Sequence, residues 1–385
     1  MRRPRRIDRL GALLTGVGGL ALACSPFVVF KPNRILPGVS LGILVVLHGF
    51  TEAAVTGIAA LAVVAALFST DARLRLATSL AAFAAIALAA AAAGNTLTPP
   101  GDLIVRIAPG AGCWLALACC GLLATDAITR MRPGPGMRVL LLAIFLAAAV
   151  AALAHGTFDH LSVMREYRIN AGRFAFEARR HVELAFGSLG AALLAGLPLG
   201  IGCHRVPRLR AATLSALNFV QTIPSIALFG ILMAPLAAFA AAVPLAARIG
   251  IAGIGPAPAV VALFLYSLLP IVANTVAGLG RVSPAAVEAA RGMGMTGGEI
   301  LFRVELPLAL PVILTGVRIV LVQNIGLVTI AALIGAGGLG AFVFQGIGET
   351  ANDLVLLGAL PTVALAIASS VLLDALIEVV ERVKR

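Results

Sequence analysis

His48 and Glu52, spaced i, i+4, share one face of an apolar run, the arrangement a proton-coupled carrier needs. A carboxylate at membrane depth costs about 2.5 to 3.5 kcal/mol unless it is paired or hydrated. A neutralised structural pair has the same spacing, and it is the reading we favour. Other chemistry lacks its parts. Gly335-Ala336-Gly337-Gly338-Leu339-Gly340 satisfies the dinucleotide fingerprint, but it follows an apolar span with no βαβ unit around it, so it reads as a flexible turn at the outer mouth. A P-loop needs lysine after glycine, whereas Lys31 follows Phe30 and Lys384 follows Val383. Cys24, Cys113, Cys119, Cys120 and Cys203 lie mostly in apolar runs without metal-ligand spacing, as packing residues do. Apart from Glu52, the carboxylates sit in loops or near span ends, so no catalytic residue, metal site or cofactor is expected in this chain.

Polar residues within apolar runs mark a second kind of site. Asn218, Gln221 and Thr222 precede Pro224, Asn274 follows Pro270, and Gln323 and Asn324 lie in the middle of a run. Each needs a partner or a water-filled cavity. Two readings stand: the lining of a path for a small polar or zwitterionic solute, and hydrogen bonds between helices. Tyr266 and Phe264 add ring faces that suit a quaternary ammonium.

Positioning these residues falls to membrane helices. With 385 residues, 60% hydrophobic and 12% charged, and a mean hydropathy of +1.04, the chain is an integral membrane protein. The formal charge of +12 would suggest nucleic acid for a soluble chain, but here basic residues punctuate apolar runs; no nucleic-acid partner is expected. About 20 residues cross a hydrocarbon core about 30 Å thick. That ruler predicts an all-α polytopic fold of ten spans, near 10–30, 39–68, 74–93, 112–128, 137–155, 182–203, 213–233, 259–280, 312–332 and 355–376. Arg2, Arg3, Arg5 and Arg6 before an apolar stretch raise a signal peptide. The apolar run of about 21 residues exceeds a signal core of about 7 to 15, which favours a retained span.

With the N-terminus inside, 19 Lys and Arg side chains fall on the cytoplasmic side and nine outside, and Arg318 snorkels near a helix end. Both termini are then cytoplasmic. Residues 1–156 form a block of about five helices, 157–180 an extracytoplasmic connector carrying five arginines, and 181–385 a core. Residues 236–254 are marginal for a span and suit a loop dipping into the bilayer. Gly196 and Gly200 form a small-residue pair for close helix approach, with a kink at Pro198 between them.

The stretch from Arg281 to Pro311 is the longest polar interruption in the C-terminal half. Ser283 suits an N-cap with Pro284 at the first helical position. Gly292 and Gly294 close that helix, and Thr296 and Glu299 have capping-box spacing for a second one. Ile300, Leu301, Phe302 and Val304 supply its apolar side, and Pro307 stops it. Charge counting puts this helix-turn-helix on the cytoplasmic face.

Its residues carry a resemblance. Glu288-Ala289-Ala290, then Gly294, then Val304-Glu305-Leu306-Pro307 after nine residues, are similar to the EAA loop of bacterial ABC importer permeases. Gln221-Thr222-Ile223-Pro224-Ser225, Ala262-Leu263-Phe264-Leu265-Tyr266, Leu269-Pro270-Ile271 and Ile334-Gly335-Ala336-Gly337-Gly338-Leu339-Gly340 resemble the osmoprotectant permeases for glycine betaine, choline or proline betaine. The likeness covers about His181 to Glu381. The N-terminal half resembles the YehY-type subgroup without a motif to carry it.

The resemblance implies a type I permease core in the C-terminal half of a bacterial inner-membrane importer. Its partners would be a cytoplasmic ATPase that binds ATP and Mg, an extracytoplasmic solute-binding protein, and a second permease chain. Glu288, Ala289, Ala290, Gly294, Val304, Leu306 and Pro307 would form the ATPase-coupling site. An ABC permease for another small solute, such as an amino acid, is the alternative beside the carrier built on His48 and Glu52.

Overall fold

A computed structural model describes residues 8–33, 36–46, 50–102 and 104–382, with backbone alone for 50–53. His48, the Glu52 side chain and seven of the counted basic residues (Arg2, Arg3, Arg5, Arg6, Arg34, Lys384 and Arg385) lie outside these. The chain divides into two compact units, residues 1–134 with 143–169, and residues 135–142 with 170–385.

In the first unit, α1 (Arg9–Cys24) is followed by β1 (Val28–Lys31), β2 (Val39–Leu41), α2 (Ile43–Val46), α3 (Phe50–Phe68), α4 (Ala72–Leu97), β3 (Arg106–Pro109) and α5 (Ala111–Met131). Helix α6 (Pro135–Ala154) leads to α7 (Ser162–Ile169). The strands form an antiparallel sheet in the order β2-β1-β3, with Val29 opposite Ser40 and Ala108. The expected span 39–68 is thereby corrected, because its first residues pair as a strand. Apolar content alone does not distinguish a short strand from a helix.

One end of this unit is tied by four charges. Asp8 caps α1 by accepting from the Leu10 and Gly11 amides, and its Oδ2 lies 2.6 Å from both Arg75 and Arg130. Asp126 completes the ring, 3.3 Å from Arg75 and 2.8 Å from Arg130. Desolvation opposes ionisation of Asp8. The Arg75 hydrogen bond, the Gly11 amide and the charges of Arg75 and Arg130 outweigh it and hold the carboxyl below its ordinary value. A depressed pKa contributes stability above the unfolded value of about 3.9, lost as pH falls through the lower folded value. Asp8→Ala is expected to destabilise the unit by about 2 kcal/mol at neutral pH, through the lost cap and the loss of one of the two carboxylates that face Arg75. Thermal unfolding in detergent reads this, and the difference from wild type should shrink below pH 4.

The second unit holds α8 (Ala171–Arg205), α9 (Pro207–Thr222), α10 (Ser225–Ala242), α11 (Pro244–Arg248), α12 (Pro256–Gly280), α13 (Pro284–Gly292) and α14 (Gly297–Ile300). A π-helical stretch, Leu301–Glu305, joins α14 to α15 (Leu306–Ala331), followed by α16 (Gly340–Gly348) and α17 (Asn352–Arg382). The core is the packing of α8 and α15 on α12. Beta carbons added at Gly196 and Gly200 would lie 2.8 Å from Ile271 and 2.6 Å from Thr275, so the glycine pair lets α8 run alongside α12. Gly316 of α15 approaches Asn274 and Pro270 in the same way, in the antiparallel sense. Helix α8 continues through Pro198.

Among the described residues eight helices are long and apolar enough to cross a membrane, and Arg9–Cys24 and Ala54–Phe68 are shorter apolar helices. Further boundaries differ from expectation: the span at 10–30 ends as helix at Cys24, and Val28–Lys31 is strand β1. The span at 182–203 begins at Ala171, and 35 residues at about 1.5 Å each exceed the bilayer core. The span at 213–233 is two helices separated at Ile223-Pro224. Leu217 of α9 clusters with Val272 and Val276, and Leu228 and Phe229 of α10 with Ala259 and Leu263, so the pair follows α12 as one broken traverse. Residues 236–254 comprise the end of α10, α11 and a turn at Gly250. Arg318 pairs with Asp374 of α17.

The arginines of 157–180 each have a partner. Arg165 donates to the carbonyls of Val105 and Asp102, Arg168 pairs with Asp159, Arg173 donates to Gln345, and Arg179 and Arg180 pair with Glu183. All five cysteines are free of disulfides, four of them buried.

Candidate functional site

The loop from Arg281 to Pro311 is built by helix-termination chemistry. Ser283 occupies the N-cap position and Pro284 the first turn, although the Ser283 side chain makes no cap hydrogen bond. Glu288 and Ala289 face solvent, whereas Ala290 is buried at 1% exposure and anchors the helix. Glu288 has no partner among the described residues. Gly294 has φ +83, and its amide donates to Arg291 O at 2.9 Å while the Met295 amide donates to Ala290 O at 3.2 Å. These are the two bonds of a Schellman stop, so the four-residue spacing from Ala290 to Gly294 is the spacing of a left-handed C-terminal cap. A non-glycine residue there would carry the steric cost of positive φ.

The second helix starts as expected, with Thr296 and Glu299 exchanging both capping-box hydrogen bonds. Its expected end at Pro307 is overturned. The Leu306 amide donates to Leu301 O across a wide turn, and Pro307 lies in the first turn of α15, so the chain passes through the proline as helix. The loop is therefore one short helix followed by a helix that runs straight on into α15. Ile300 is buried and Leu301, Val304, Leu306 and Pro307 are half-buried, but Phe302 is 69% and Met293 76% exposed. Phe302 thus faces outward with Glu288's helix instead of joining the apolar side. Glu305, 5% exposed, accepts a hydrogen bond from Arg205 at 2.5 Å. Sequence reasoning quoted this residue in the motif but missed its partner, which lies 100 positions away.

The polar residues of the expected path separate into two groups. Asn324, fully buried, donates to Ser188 at 3.2 Å and Ser267 at 3.1 Å and so joins α8, α12 and α15. Tyr266 is 4% exposed and its hydroxyl donates to Ile223 O, while Gln221 donates to Tyr266 O at 2.7 Å. Together they close the break between α9 and α10. Asn218 and Thr222 are exposed, with Thr222 donating to Phe219 O, and Asn274 and Gln323 are half-buried, with Asn274 donating to Pro270 O.

Two side chains of α8 bind the turn at 335–340. Gly335, Gly337 and Gly338 have φ between +77 and +88. The Glu177 carboxylate accepts from the Gly338 amide at 2.7 Å and His181 Nδ1 from the Leu339 amide at 3.3 Å. With Nδ1 accepting, His181 Nε2 carries the proton and donates to Ile325 O at 3.0 Å. Arg173 continues the stripe, its guanidinium 5.0 Å from the Phe342 ring centroid. The i, i+4, i+8 spacing of Arg173, Glu177 and His181 was the available signal.

Two family models match the chain. One described as binding-protein-dependent transport system inner membrane component covers residues 192–385, and one described as ABC transporter permease YehY, N-terminal domain, covers residues 8–164. The osmoprotectant import permease protein OsmW of Salmonella typhimurium is 44% identical over 207 residues, 54% of this chain and 91% of that protein. The glycine betaine/carnitine/choline transport system permease protein OpuCB of Bacillus subtilis is 34% identical over 57% of this chain and 92% of its own length. The carnitine transport permease protein OpuCD of Listeria monocytogenes is 37% identical, with 56% and 90% covered.

Proposed function

Because this chain belongs to the binding-protein-dependent transport system inner membrane component family, we propose that it is the translocation subunit of an ATP-driven importer for a small quaternary-amine osmoprotectant, glycine betaine, choline or carnitine. The observation that carries the coupling site is the split of the EAA triplet: Ala290 is locked into the chain while Glu288 and Ala289 are offered to solvent beside exposed Met293 and Phe302. That surface suits docking by a partner. Hydrolysis belongs to a separate ATPase subunit, since this chain has no P-loop. A solute-binding protein delivers the solute from outside, and a second permease chain completes the path. Both termini and the 281–311 loop lie in the cytoplasm. Of the polar residues, Asn218, Thr222, Asn274 and Gln323 are the ones open enough to line the path, while Asn324, Gln221 and Tyr266 shape the helices around it.

Uptake of radiolabelled glycine betaine by cells expressing the full system tests this reading. Uptake is expected to stop on ATP depletion and to persist when the proton gradient is collapsed at constant ATP. Loss with the gradient would instead favour a carrier using His48 and Glu52. Competition by unlabelled choline and carnitine, and none by an amino acid, is the expected solute pattern.

A further inference from the structure

Arg205 is the last residue of α8 and Glu305 the last of the π-helical stretch below α15. Their ion pair, 2.5 Å between Nη2 and Oε2, is the sole polar link between α8 and residues 281–311 among the described residues. It is asymmetric, the Glu305 side chain 7% exposed and that of Arg205 44%. A carboxylate buried this far cannot lose its cation cheaply, so displacement of the loop either drags α8 along or strands the charge. Apolar packing reinforces the tie, since Leu197 and Ile201 of α8 share a cluster with Leu301 and Leu306. The wide turns of Leu301–Glu305 that carry Glu305 are a π-helical interruption of the kind found frequently at functional sites. At its other end α8 grips the glycine turn through Glu177 and His181.

We propose that Arg205 and Glu305 are positioning residues, a strut through which movement of the 281–311 loop is carried into α8 and so to the glycine turn at the far end of the bundle. Helix α15 follows the loop by chain continuity, whereas α8 follows it through this pair. The inference rests on the reading of 281–311 as the ATPase contact.

The test reconstitutes permease, ATPase and binding protein in liposomes with radiolabelled glycine betaine and reads ATPase bound per permease, ATP hydrolysed, and solute moved per ATP. If the wild-type assembly binds no ATPase, the functional reading itself fails, whatever the variants do. With that control in place, Glu305→Gln and Arg205→Gln are expected to retain bound, hydrolysing ATPase while solute moved per ATP falls at least about fivefold. The exchange Arg205→Glu with Glu305→Arg is expected to recover at least about half of the lost ratio. A ratio within about twofold of wild type in the single variants, loss of ATPase from them, or an exchange no better than either single variant would overturn the strut. Should the single variants fail to insert, the exchange is read alone, recovery supporting the proposal and a background ratio overturning it.

Discussion

Glu288→Lys is expected to reduce solute uptake to background and to cut ATPase copurification at least about tenfold, while the chain still reaches the membrane in wild-type amount. The two effects separate because of where Glu288 sits. It is exposed and has no partner among the described residues, so the substitution costs folding within about 0.5 kcal/mol. At a docked surface, reversing the charge places like against like, and such juxtapositions cost several kcal/mol. The neighbouring Ala290 behaves differently. At 1% exposure it has no room for a larger side chain, and Ala290→Leu is expected to loosen α13 itself. Unchanged uptake in Glu288→Lys would remove the docking role, and loss of the protein from the membrane would make Glu288 a folding residue.

What was legible in the sequence was local. Ala290 and Gly294 announce a helix stop because a Schellman cap is completed within six residues, and Thr296 with Glu299 announces a start for the same reason. Pro307 was misread because a proline ends a helix or begins one depending on the bonding just before it. Nothing in the letters of Leu301–Glu305 distinguishes wide turns from ordinary ones. At Ile223-Pro224 the signal was present, since a residue before proline is biased toward extended backbone, and Ile223 has ψ 126. Continuous apolarity hid it. Val39–Leu41 reads as the start of a span until Val28–Lys31 is seen opposite it.

The partnerships missed altogether share another property. Glu305 with Arg205, Glu177 and His181 with the glycine turn, and Asn324 with Ser188 and Ser267 all act across long separations in the chain. A buried polar group must find a partner, but the sequence does not say which. For Asn324 it left solute lining and helix bonding equally open, and the structure gives it Ser188 and Ser267.

Gly200→Leu and Gly187→Leu place the same side chain on the same helix and are expected to give opposite results. At Gly200 the new Cβ would lie 2.6 Å from Thr275 Cβ and 2.8 Å from its Cγ2, with Thr275 fully buried and unable to withdraw. Replacing glycine in a helix gains about 1 kcal/mol in propensity, whereas overpacking a closed interface costs about 1 to 3 kcal/mol and more when backbones must part. The clash wins. Helices α8 and α12 would separate, and because Asn324 bridges α8 to α12 and α15 at Ser188 and Ser267, its buried amide would lose partners as well. Loss of folded protein from the membrane, or a melting temperature lowered by several degrees in detergent, is the expected reading. At Gly187 nothing lies within 4 Å of an added Cβ, so the propensity term stands alone and stability is expected to hold or rise slightly. Equal tolerance at both positions would mean that α8 does not rest on α12 through this glycine.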